Sequence, residues 1–277
     1  MKKRSKATTE EMAAFMNVPR MRKVYVPRRE CRDVKYKQLY RFEEENVVWM
    51  ADHFLDHSGE TRGGALTAKQ QLEVLLRYVP VGDPGFQIGV GEDIGVHQST
   101  VSKTITHVLG QMVDKAELWI KFPTTAADLQ TAKDAWQAKE GLQFPCVIGA
   151  LDCTHVKITK PAVPQGDEYI NRKGQATLNV QATCSADEVF TSVDATWPGS
   201  VHDSRVWKNS SVATFMERSR SDTILLADKG YGIAPWLMTP YVPAATPQET
   251  TYNRIHTRER VIIERCFGQL KRRFPIL

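Results

Sequence analysis

The chain has 277 residues, 25% of them charged and 42% hydrophobic, a balance ordinary for a globular protein with one large core or two smaller ones. No apolar run approaches the ~18 residues that a membrane helix needs, and no signal peptide opens the sequence. The five cysteines (31, 146, 153, 184 and 266) form no Cys-x-x-Cys pair and read as reduced intracellular thiols, excluding a disulfide or zinc framework.

The net charge of +5 is unevenly placed: residues 1–41 hold thirteen Lys or Arg against four Asp or Glu, and residues 254–277 hold seven against two. Basic ends around a near-neutral middle point to a polyanion, nucleic acid first, although a solubilising tail accounts equally well for the opening stretch alone. The start MKKRSK also reads as part of a nuclear localisation signal, a weak motif. Residues 1–38 lack an apolar period and are expected to form an extended basic arm.

Residues 39–143 are expected to be a helical domain. Val47, Val48, Met50, Ala51, Phe54 and Leu55 give a helical pattern over 39–57, and Thr67 is a plausible N-cap for a helix running to Tyr78. In FQIGVGEDIGVHQSTVSKTITHVL (86–109) a helix ends at Ile94 and Gly95 supplies the turn. A second helix then buries Val101, Ile105, Val108 and Leu109. This is either an ordinary helical hairpin or a helix-turn-helix presenting Gln98, Ser99, Ser102 and Lys103 to a major groove. Further helix is predicted within 113–143.

From 144 onward the period changes. CVIGALD, VKIT, TLNVQATCSA, EVFTSVDAT and TILLAD are short runs typical of strands, with helix predicted at 203–217 and 233–238. The last helix, VIIERCFGQLKRRF, places Ile263, Phe267, Leu270 and Phe274 on one face, and Arg260, Glu264, Gly268 and Lys271 on the stripe beside it. These elements predict an α/β domain over 144–277 with a central sheet.

Asp152 ends CVIGALD, Asp228 ends TILLAD, and Asp203 opens a helix after DATWPGSVH. Active sites of open α/β sheets form at strand ends, where such side chains converge. With Glu264 they make an all-oxygen set suited to Mg²⁺ or Mn²⁺, and two such ions can drive phosphodiester chemistry. Plainer roles stay open: Asp203 as a helix cap, Asp228 as a turn residue, Asp152 as a loop polar group, Glu264 as surface charge. His155 and His202 read as neutral polar neighbours, and Trp197, Trp207 and Trp236 as packing residues.

Four segments in register, GALDCTHVKITKP (149–161), NVQATCSADEVFTSVDATWPGSVHDSRVW (179–207), LLADKGYGIAPWLMTPY (225–241) and TRERVIIERCFGQLKRRF (257–274), resemble the PIF/Harbinger transposases and the Harbinger-derived nucleases. The resemblance implies an RNase H-like mixed sheet with a DDE site, preceded by the all-α helix-turn-helix domain. Asp152, Asp228 and Glu264 are then catalytic and metal-binding, with Asp203 an additional metal ligand. Arg260, Glu264 and Lys271 match the family's R(3)E(6)K signature, whose tyrosine falls at Thr257. Cys153 stands where a Gly is usual. The implied reaction is Mg²⁺- or Mn²⁺-dependent cutting of double-stranded DNA at transposon ends, then attack of the freed 3′-hydroxyl on target DNA. Lys229, Arg260, Arg265, Lys271 and Arg272 are the phosphate-contact candidates. The resemblance also implies a Myb-like partner protein, a nuclear location and, as a possibility, a homo-oligomer, with no membrane partner. A domesticated or decayed copy that binds DNA or a partner without cutting is the rival expectation, and a metal hydrolase of small substrates fits the basic arm less well. Family members usually run several dozen residues past the equivalent of Leu277, so the domain is expected to be truncated at its C-terminus.

Overall fold

The computed structural model describes residues 36–56, 66–79, 86–219 and 222–277. MKKRSK, Cys31 and the predicted arm up to residue 35 lie outside these. The arm's last predicted residues are helical: α1 spans Tyr36–Tyr40. The Tyr36 hydroxyl donates to Glu73 Oε1 at 2.8 Å, and both tyrosine rings pack on the helical core, which draws this segment into the fold.

The helix expected over 39–57 is interrupted. Arg41 takes a left-handed φ of 67°, and α2 runs only over Glu44–Phe54. Next come α3 (Ala68–Tyr78), α4 (Phe86–Ile94) and α5 (Gln98–Asp114). Thr67 caps α3 in a reciprocal capping box with Gln70, so two otherwise orphaned N–H groups are satisfied. Between α4 and α5, Gly95 adopts φ 77° and both Gly95 and Val96 donate their N–H groups to Gly91 O at 2.8 Å. Gly91 admits no side chain, because a Cβ there would lie 2.6 Å from Val96 O. The cap of α5 is His97, whose Nδ1 accepts from Ser99 N. Val101, Ile105 and Val108 are buried as the period predicts, but Leu109 is exposed and Thr104 takes its place inside. The reason is geometric: 101, 104, 105 and 108 follow the 3–1–3 spacing of one helical stripe, and 109 falls to its side.

Beyond α6 (Ala126–Ala138), a five-stranded sheet forms from β1 (Val147–Lys157), β2 (Thr177–Cys184), β3 (Phe190–Pro198), β4 (Ile224–Leu226) and β5 (Leu237–Met238), in the order β3-β2-β1-β4-β5. β1, β2 and β3 pair antiparallel, whereas β4 and β5 join in parallel. CVIGALD and VKIT prove to be one long strand. The helix expected over 203–217 is two, α7 (Asp203–Lys208) and α8 (Ser211–Arg218), because Ser210 starts a new cap. The helix expected at 233–238 is absent: Pro235 and Pro240 lack the N–H a helix needs, and Leu237 and Met238 pair with Leu225 and Leu226 instead.

α9 (Pro247–Arg273) begins with Thr246 and Glu249 in a second capping box and Pro247 in its first turn. Its Ile262, Ile263, Cys266 and Phe267 pack on Ala150, Ala182 and Leu226 of the sheet, while α7 and α8 cover the other face through Trp207, Val212 and Met216. The end of α9 reaches the helical core, where Phe274 lies 6.3 Å from the Phe42 ring and the Arg273 guanidinium sits 4.8 Å over it. No described helix is long and apolar enough to cross a membrane.

Candidate active site

Directly opposed residues of an antiparallel pair share a sheet face. Asp152 is opposite Ala182, which packs under α9, so its carboxylate opens toward that helix. Asp152 Oδ1 accepts from Cys153 N at 2.8 Å, and Oδ2 accepts from Arg260 Nη1 at 3.0 Å. The other arm of the Arg260 guanidinium donates to Glu264 Oε1, one turn further along α9. One cation therefore bridges a carboxylate of β1 and a carboxylate of α9. Burial, and secondarily the charges of Asp228 and Asp203, push the Asp152 carboxyl up to about 6, against the opposing pull of the Cys153 N–H and Arg260. Glu264 itself is half exposed.

Asp228 lies two residues beyond β4 and accepts from Gly230 N at 2.8 Å, so it shapes a turn and at the same time directs charge at Asp152. Asp203 is not the cap of its helix; His202 is, through Nδ1 and Ser204 N. Asp203 Oδ1 accepts instead from Asn179 Nδ2 at 2.7 Å, and that amide also donates to Val201 O at 2.9 Å. Asn179 is opposite His155, on the sheet face away from Asp152, so Asp203 approaches the site from the other side of β1.

The predicted phosphate contacts divide. Lys271 donates to Thr154 Oγ1 at 2.7 Å and His155 O at 3.0 Å, clamping α9 to β1, and its burial lowers its pKa. Arg265 pairs with Glu188 at 2.8 Å, and Arg260 is held by the two carboxylates. Lys229 and Arg272 are exposed, as are Gln98, Ser99, Ser102 and Lys103 on α5.

Three contributors escaped the sequence reading. Glu259 is fully buried and accepts from Trp136 Nε1 at 2.9 Å and Phe144 N at 3.1 Å, as well as from Gln143 N. Its spacing was visible, since 256, 259, 263 and 266 form one stripe. Asn179 belongs to a row of buried polar side chains on β2 (Thr177, Asn179, Gln181, Thr183), an alternation opposite to the usual apolar-in pattern. Tyr231, buried beneath the site, donates to Cys153 Sγ at 3.1 Å, a contact across 78 residues that no local pattern announces.

Among the described residues, no three His, Cys, Asp or Glu side chains stand close enough together to hold a metal by themselves. The donor chemistry nonetheless fits one. The acids are oxygen donors only, burial and then the charges of Asp228 and Asp203 raise Asp152, and the space between Asp152 and Glu264 already accommodates a cationic group, the Arg260 guanidinium.

A mixed sheet with helices on both faces, with acids on its central strand and on the helix packed over it, defines an α/β protein. Residues 151–277 match the DDE superfamily endonuclease family, and the chain carries a domain of that family. It is 33% identical to "Putative nuclease HARBI1" of Homo sapiens over 217 residues, covering 78% of this chain and 61% of that protein. The Xenopus laevis protein of the same name is 30% identical over the same lengths, and "Protein ALP1-like" of Arabidopsis thaliana is 28% identical over 235 residues, 79% of this chain and 56% of its own. The chain thus spans about 61% of the length of the HARBI1 relatives it matches. No solved structure matches it.

Proposed function

We propose that the chain is a divalent-metal-dependent DNA endonuclease of RNase H-like fold and transposase descent. The observation that carries this reading is Arg260, which bridges Asp152 of β1 and Glu264 of α9 while Asp228 bears on Asp152 electrostatically. The strand order β3-β2-β1-β4-β5 supports the RNase H-like assignment. Asp152, Asp228 and Glu264 would hold Mg²⁺ or Mn²⁺, with Asp203 flanking them. When bound, the metal supplies activation of water or a 3′-hydroxyl and charge relief at the leaving oxygen. The protein's own part is positional. Lys271 pins α9 to β1, Asn179 holds Asp203, and exposed Lys229 and Arg272 offer phosphate contacts. The α4–α5 pair serves as a helix-turn-helix that lays Gln98, Ser99, Ser102 and Lys103 against duplex DNA. Strand transfer, self-association, a Myb-like partner and a nuclear location belong to this reading.

A second reading has one observation in its favour: the Arg260 guanidinium already neutralises the Asp152–Glu264 pair, an arrangement that a DNA- or partner-binding protein retains without cutting. Cleavage of a labelled duplex in Mg²⁺ or Mn²⁺, comparing wild type with Glu264→Gln, separates the two. Cutting that the variant loses by at least ~10²-fold supports the nuclease. A folded wild type that cuts no strand supports the binding protein.

A further inference from the structure

The connection between β1 and β2 ends in a turn that offers two cations to solvent. Asn171, itself buried, accepts through Oδ1 from Lys173 N at 2.9 Å and Gln175 N at 3.1 Å. Its own N–H donates to Gln175 O at 2.8 Å. Upstream, Ser200 N donates to Glu168 O at 3.0 Å and ties the connection to the stretch before α7. The turn is held in place while Arg172 and Lys173 at its tip stay exposed, and neither forms an ion pair among the described residues. Lys157, the last residue of β1 and opposite Thr177, is likewise exposed and unpaired among them.

These cations continue the strand that carries Asp152. Lys157 stands five residues, about 17 Å, beyond Asp152 along β1. Lys173 bears on His155 between them: burial first, then the charges of Lys271 and Lys173, hold the His155 pKa below 6.5 against the pull of Asp203. Of the two acids in the connection, Asp167 is neutralised by Lys160, which leaves Glu168 against Lys157, Arg172 and Lys173. The tip itself, Asn-Arg-Lys-Gly-Gln, has no aromatic or aliphatic side chain of the kind on which protein interfaces centre, and Lys is depleted from such interfaces. Exposed Arg and Lys on an anchored backbone suit the phosphates of a nucleic acid instead.

We infer that Lys157, Arg172 and Lys173 grip the backbone of duplex DNA beside the cutting site, an inference that rests on the nuclease reading. One strand advances ~3.4 Å per nucleotide, so 17 Å places this grip about five base pairs from the phosphate at Asp152. The duplex then runs along β1 from the acids toward the β1–β2 turn. Contacts of this kind read no sequence; they set the register, and so how far from the gripped phosphates the cut falls.

The test uses the full chain and a fluorescein-labelled duplex of about 30 base pairs, with Ca²⁺ in place of Mg²⁺, read by anisotropy over a series of KCl concentrations. Arg172→Gln with Lys173→Gln is expected to weaken binding about tenfold and to flatten the slope of log K against log [KCl] by about 1.8, or ~0.9 per phosphate. Arg172→Lys with Lys173→Arg keeps both charges and should keep the wild-type slope. Both variants should melt at the wild-type temperature. A Gln variant with wild-type affinity and slope overturns the inference and leaves the nuclease reading standing, whereas a wild type that binds no duplex overturns both. A charge-keeping variant that falls as far as the Gln variant also overturns the inference. So does a Gln variant that loses labelled poly-glutamate but keeps the duplex, since the turn would then hold an acidic protein segment.

Discussion

Two glutamates five residues apart on α9 have opposite surroundings. Glu259 is sealed in the core with three N–H groups pointing at it, whereas Glu264 is half in solvent and pairs with the Arg260 guanidinium. At 100° per residue they stand about 140° apart around the helix, so one faces inward when the other faces the site. Gln at 259 would turn an amide N–H toward at least one of those donors. Glu259→Gln is expected to cost about 2–4 kcal/mol, visible as a lower melting temperature, with cutting retained by protein still folded. Glu264→Gln should do the reverse in the same two assays. Nearby, His256 is buried with Nε2 3.0 Å from Met238 O and Nδ1 without a hydrogen-bond partner among the described residues, and burial above all holds its pKa below 6.5. As pH falls below 6.5 the unfolded chain takes up this proton while the folded chain resists it, so stability present above that pH is lost. Urea midpoints from pH 7.5 to 5 should decline in wild type and decline less steeply in His256→Phe.

At the scale of elements, the sequence revealed what is local. The Thr67 cap, the Gly95 turn, the stripe on α9 and the acids at strand ends follow from spacing and side-chain chemistry within a few residues. The errors arose where a distant partner decided. Tyr36–Tyr40 is helical because Tyr36 finds Glu73. Leu237 and Met238, within the segment expected as helix, form a strand because β4 offers them an edge. The alternative left open for Asp203, a helix cap, falls away because His202 caps that helix and Asn179 of β2 holds the carboxylate. Family resemblance supplied the grouping of the four acids, which no periodicity could. The α4–α5 turn allows a sharp check on local reading. Gly91→Ala drives a Cβ into the Val96 carbonyl, and neither backbone can yield without loosening the turn. Circular dichroism melts should show a loss of about 1–3 kcal/mol, although Ala ordinarily strengthens a helix interior.

Among the described elements, α9 is the one that touches both the sheet and the N-terminal helical core. Its first half is anchored through Glu259 to α6 and the approach to β1, its middle lies on the sheet, and Phe274 just beyond it meets Phe42 among the N-terminal helices. Glu264 stands between the anchor and that distant contact, ten residues or about 15 Å from the Phe274 end. A rigid rod gripped at one end and pushed at the other acts as a lever. On the proposed reading, whatever tilts the N-terminal helices, duplex DNA on α5 included, exerts torque on Glu264. On that reading, DNA engagement and the alignment of the Glu264 carboxylate become a single mechanical variable.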